Sequence, residues 1–104
     1  MKSKKPETLD LEQERKKLIQ ELNLEFGPKW ADHHKPGSFG CHELLDRAAW
    51  AEDFVEQYVF NHPACINNRE WFELATMAVG ALSELYVRIG EVHLNNDSKT
   101  TDHA

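Results

Sequence analysis

The residues best equipped for chemistry are the histidines and cysteines. Six histidines occur in 104 residues, with His33-His34 and Cys41-His42-Glu43 close together, His62 further on and His93 near the end. Imidazole nitrogen and thiolate sulfur are the ligands that zinc takes. A helical hairpin turning near Ala64–Cys65 sets residue 93 opposite about residue 36. The spacing therefore predicts that His34, Cys41, His42 and His93 converge at the open end of such a hairpin. Against a metal stands the local pattern: the chain has no CxxC, HxxxH or HExxH. Adjacent His-His and Cys-His pairs also point in different directions. The expectation is no cofactor, with zinc at these four residues as the alternative.

Nucleophilic chemistry has a thinner basis. A thiol in the first turn of a helix sees the positive end of the dipole, which raises its reactivity. Cys41 occupies such a place, but His42 projects about 100° away from it and no Asn or Asp stands ready to orient the imidazole. A half-buried small residue at a helix start is the simpler reading. Cys65 lies at the other end of the same helix, ~30 Å away, too far for a disulfide. Two unpaired thiols suit a reducing compartment. The acids Glu43, Asp46 and Asp53 fall on a polar helix face where carboxylates are ordinarily solvated, and the five glycines are scattered rather than grouped into a phosphate loop. No catalytic set emerges, so a protein that is not an enzyme is the favoured expectation, with a metal-binding or thiol-dependent activity at the open end of the hairpin (Cys41, His42, His93, His34) as the alternative.

Three helices must position these residues. The first is expected over 8–26, where Leu11, Leu18, Ile19, Leu22 and Phe26 recur at helical spacings and Gly27-Pro28 supplies the stop. Residues 28–40 (PKWADHHKPGSFG) are dense in turn formers; Pro36-Gly37 reads as a turn, Ser38 as a helix N-cap, and Trp30 and Phe39 as pins holding the loop to the body. The second helix is expected over 40–61, stopped by His62-Pro63, with His62 bonding its last carbonyls. Its stripe is Leu44, Ala48, Ala51, Val55 and Tyr58. The third is expected over 68–94, opened by Asn67 or Asn68 with Glu70, and striped by Trp71, Leu74, Ala75, Ala78, Leu82, Leu85, Ile89 and Val92. The second and third must lie antiparallel as a long αα-hairpin. Residues 1–7 read as a flexible arm and 95–104 as a flexible tail.

This all-α arrangement, a hairpin with an N-terminal helix packed across it, leaves surfaces that the hairpin alone does not satisfy. Trp50 falls on the far side of the second helix with Phe54 near it. Phe72, Val79 and Tyr86 recur at heptad spacing, well round from the main stripe of the third helix. Aromatics at such positions are enriched among interface anchors. Either the first helix completes a three-helix bundle, or two copies pair as a dimeric helical bundle. Trp50, Phe54, Phe72, Val79 and Tyr86 are the expected interface, with a second copy as first partner and another protein as the alternative.

Composition narrows the partners. The net charge is −6, and residues 41–94 hold nine acids against Arg47, Arg69 and Arg88. Phosphate backbones reward clustered Lys and Arg, so nucleic acid is not expected. No apolar run approaches the ~18 residues of a membrane span, and the start MKSKKPETLD has no apolar core for a signal peptide. The expected role is a small acidic, cytosolic interaction module of adaptor or inhibitor type.

Overall fold

The computed structural model describes the backbone of residues 8–102 and the side chains of residues 10–95. The expected arm at 1–7 lies outside the described residues. The fold is all-α, with no strand among the described residues. It divides into two compact units, with the break between His33 and His34.

The first unit holds α1, Thr8–Phe26, with the expected bounds. Asp10 in its first turn suits the dipole. Gly27 ends it in the left-handed conformation at φ 86°, where its N–H donates to the Asn23 carbonyl at 2.9 Å. That is the αL cap expected of glycine at this position. A 3₁₀ turn follows over Trp30–His33. The Trp30 indole N–H donates to Asn23 Oδ1 at 2.7 Å, which ties the turn to the last turns of α1. On the helix surface Arg15 grips the Glu12 carboxylate through both Nε and Nη2, at 3.0 and 2.8 Å. This bond holds the Glu12 carboxyl below its ordinary range. Leu11, Leu18 and Phe26 of the apolar stripe are exposed.

The second unit is the hairpin. It starts with a turn in which Ser38 N–H donates to the Lys35 carbonyl at 2.9 Å. Pro36 occupies the position that wants φ near −65°, and Gly37, at φ 90°, the one that needs a positive φ. Ser38 then caps α2, Phe39–Phe54, its Oγ accepting from Cys41 N–H at 3.2 Å. Phe39, expected to pin the loop, is instead largely exposed at the first position of α2; Trp30 does the pinning, within the first unit.

Past Phe54 the helix widens into a π-helical segment, Val55–Phe60. Its closing bond runs from Asn61 N–H to the Glu56 carbonyl at 3.1 Å. Ordinary α-helical spacing would leave Phe60 roughly 100° off the inner side. The wider turn rotates Phe60 back, so that it stacks on Phe72 with ring centroids 4.7 Å apart. His62 does not bond the carbonyls behind it. Its Nδ1 accepts from Ala64 N–H at 3.0 Å and caps a short helix, α3, Pro63–Ile66. An extended backbone at His62 and a proline at the first helical position make it an N-cap rather than a C-cap.

The last helix, α4, runs Arg69–Asp102. Asn68 caps it, Oδ1 accepting from Trp71 N–H at 3.0 Å. With Asn68 as cap, Glu70 sits one position too early to complete a capping box. The helix passes the expected stop at Leu94, so the backbone of 95–102 is helical rather than a frayed tail.

Helix α2 packs against α4 through a seam of small residues. Cys41, Leu45 and Ala48 are buried on α2, and Ala75 and His93 on α4. Half-buried Ser83 and Gly90 lie on the same side of α4. A Cβ placed on Gly90 would sit 3.7 Å from Leu45 Cδ1, so the Leu45 side chain packs over the α4 backbone there. This corrects the expected packing. The expected stripe divides: Ala75 is buried in the seam and Leu82 and Ile89 are half-buried, whereas Trp71, Leu74, Leu85 and Val92 are exposed, and the side of α4 that carries Phe72, Val79 and His93 meets α2.

Candidate functional site

The histidine cluster forms only in part. Burial is nearly complete at His93, 2% exposed, and its ring lies 5.4 Å from that of His42. Gly37 N–H donates to His93 Nδ1 at 2.8 Å. The turn geometry explains this bond. Ser38 N–H closes the turn, which leaves the Gly37 N–H pointing outward and free to donate. An Nδ1 that accepts carries no proton, so the ring proton belongs to Nε2. Nε2 is buried and finds no hydrogen-bond partner among the described residues.

In this tautomer His93 has no free lone pair to give a metal. His42 is exposed and lies 3.8 Å from Asp46. Cys41 is buried at the start of α2, and both thiols are free. His34 is exposed. Among the described residues no three of His, Cys, Asp and Glu are grouped to hold a metal ion. What the cluster does is mechanical: it fastens the Pro36-Gly37 turn to α4.

The expected interface residues separate into two sets. Trp50 is 73% exposed, and Phe54 is exposed with its ring 5.1 Å from that of Tyr58. These three line the outer edge of α2. Phe72, stacked on Phe60, and Val79 are half-buried within the hairpin, whereas Tyr86 at its margin is exposed.

A broader apolar face was not picked out from the sequence as a surface. By helical angle, Leu44, Ala51 and Val59 of α2 lie on the same side of the hairpin as Trp71, Leu74, Ala78, Leu85 and Val92 of α4. Trp71 is 54% and Leu74 56% exposed, and Leu44, Leu85 and Val92 are also open to solvent. At the turn end the face dips into a crevice of about 510 Å³, whose lining includes Tyr58, Val59, His62, Trp71 and Leu74. Charge divides between the two sides. Asp46, Asp53, Glu73 and Glu91 lie on the opposite face by the same angles. Glu43 and Glu84, at the edges, are each engaged by an arginine four residues on, Arg47 and Arg88. The carboxylates thus lie away from the Trp71–Leu85 face, on a side that also exposes Val87 and Leu94. The signal for the apolar face was already in the sequence, as the Trp71–Val92 stripe; only its role was misassigned.

No helix among the described residues is long and apolar enough to cross a membrane. Comparison with known proteins finds no matching family model, no matching curated protein and no matching solved structure.

Proposed function

We propose that this chain is a cytoplasmic protein–protein interaction module that associates with a second copy of itself through the Trp71–Leu85 face of the hairpin. The observation that carries this reading is the exposure of that stripe, with a crevice at one end and no carboxylate inside it. Leu44, Trp71, Leu74, Leu85 and Val92 are each about half exposed, and contiguous exposed apolar surface of this kind marks association sites. Pairing these faces keeps the carboxylates apart, so self-association carries little like-charge repulsion. Trp50 and Phe54 on the outer edge extend the surface to a further protein, as an adaptor or inhibitor needs.

The test is the pair of changes Trp71→Glu and Leu85→Glu, with mass in solution read by light scattering and helicity by circular dichroism. Loss of a dimer with helicity kept supports the reading. An unchanged mass contradicts it.

A further inference from the structure

The outer side of α2 groups aromatic rings with carboxylates. By helical angle, Phe39, Glu43, Asp46, Asp53 and Phe54 all lie within about 60° of Trp50. The seam residues Cys41, Leu45 and Ala48 lie roughly 140–180° away, so this side points out from the hairpin. Phe39 is 79%, Trp50 73% and Phe54 59% exposed, and the Phe54 ring leans on that of exposed Tyr58. Asp46 and Asp53 are exposed before and after Trp50 along the helix. Asp46 lies 3.8 Å from His42, and Asp53 accepts from the Gln57 side-chain amide at 2.8 Å. Neither meets a lysine or arginine among the described residues.

Charge says what kind of surface covers this side. Between Lys35 and Lys99 the only Lys or Arg residues are Arg47, Arg69 and Arg88. Each is engaged by a carboxylate of its own helix, from Glu43, Glu73 and Glu84 in turn. Over 39–60, Glu43, Asp46, Glu52, Asp53 and Glu56 stand against Arg47 alone. A neutral apolar partner would strip water from Asp46 and Asp53 and leave both unpaired, which is costly. A second hairpin of this chain would bring the same carboxylates and no spare arginine. A cationic partner satisfies the acids and covers the rings.

We infer that the Trp50 side of α2 docks an arginine-bearing helix of a different protein. This rests on the reading that Trp50 and Phe54 face a further protein, and it is independent of self-association. Asp46 and Asp53 stand two turns apart, ~10 Å along the axis, so arginines seven residues apart on a partner helix meet both. A guanidinium suits the site better than an ammonium, because it pairs with a carboxylate and also stacks on an indole. Phe54 and Tyr58 receive the apolar residues beside it.

The probe is a synthetic amphipathic helical peptide with arginines seven residues apart around a leucine, beside a copy with glutamine at those positions. Each is added to the isotope-labelled full-length protein while amide and indole signals are followed. The arginine peptide should shift the Trp50 indole N–H and the amides of Asp46 and Asp53, and the glutamine peptide should not. Asp46→Asn and Asp53→Asn should each weaken binding about two- to fivefold, and Trp50→Ala at least as much. All three positions are exposed, so helicity by circular dichroism should be unchanged. Equal shifts with both peptides would overturn the inference, since the side would then take partners regardless of charge. Shifts centred on Glu73 and Glu91 would overturn it too, as diffuse attraction to acids, and so would no shift at all. Mass in solution, read on the same samples without peptide, decides self-association separately; a monomer there leaves this inference standing.

Discussion

Gly37 donates its backbone N–H to Nδ1 of His93 across 56 positions of sequence, at 2.8 Å. It is the bond that closes the open end of the hairpin, and it determines the tautomer of the most deeply buried side chain. Replacing His93 with Leu removes the acceptor and leaves the Gly37 N–H without its partner. Gly37 is exposed, so water can replace the lost acceptor and the cost is about 0.5–1.5 kcal/mol. Amide exchange at Gly37 should be slow in the wild type and fast in His93→Leu. His93→Asn, whose Oδ1 stands near the place of Nδ1, should keep part of the protection. Equal protection in the wild type and His93→Leu would mean that the bond does not hold the turn.

The tautomer is measurable directly. Nitrogen chemical shifts of the His93 ring should show a proton on Nε2 and a bare, accepting Nδ1. A proton on Nδ1 would rule the bond out, since the Gly37 amide can only donate, and would leave Nε2 with a lone pair for a metal.

Gly80 sits in the interior of α4 with nothing within 4 Å of where a Cβ would be. Gly80→Ala should stabilise the hairpin by up to about 1 kcal/mol, through helix propensity alone. Its position is away from the apolar face, so the mass in solution should not change. Thermal melts of the two proteins check the first point and light scattering the second.

Much of the fold could be read from local chemistry. The limits of α1, the glycine stop at Gly27 and the caps at Ser38 and Asn68 each rest on a few neighbouring residues, and each holds. The choice of seam could not be read in that way. Helix α4 carries two apolar stripes, and the more hydrophobic one, through Trp71 and Leu85, is the one left largely exposed. The deciding features are small size at Ala75, Ser83 and Gly90, which lets α2 approach, and the polar tie at His93. Neither adds hydrophobicity. The π-helical turn escaped for a related reason, since its one-residue shift is selected by the stacking of Phe60 on Phe72, a tertiary contact.

Asn68→Ala removes the side chain that accepts from Trp71 N–H and should cost about 1 kcal/mol. Asn68→Asp should retain most of that stability, because its carboxylate also accepts and suits the positive end of the helix. Urea denaturation of the three proteins gives the comparison. Unchanged stability in Asn68→Ala would show that the cap contributes nothing.

The Glu12–Arg15 pair gives a pH signature confined to α1. The hydrogen bond from Arg15 lowers the Glu12 pKa in the folded helix. Its contribution is therefore present above the unfolded carboxyl pKa and is lost as pH falls through the lowered folded value. Arg15→Ala should move the Glu12 titration midpoint, followed by carboxyl carbon shifts, back up. High salt should move it the same way, since the pair is solvent-exposed. A midpoint unmoved by Arg15→Ala would show that the two side chains are not bonded in solution.

If the exposed side of the hairpin is a surface for a second copy, sedimentation equilibrium of the unmodified full-length chain, at near-physiological salt and over a range of concentrations, should give a mass of two chains, falling to one in the Trp71→Glu, Leu85→Glu variant. A single-chain mass for the unmodified protein at every concentration would contradict it.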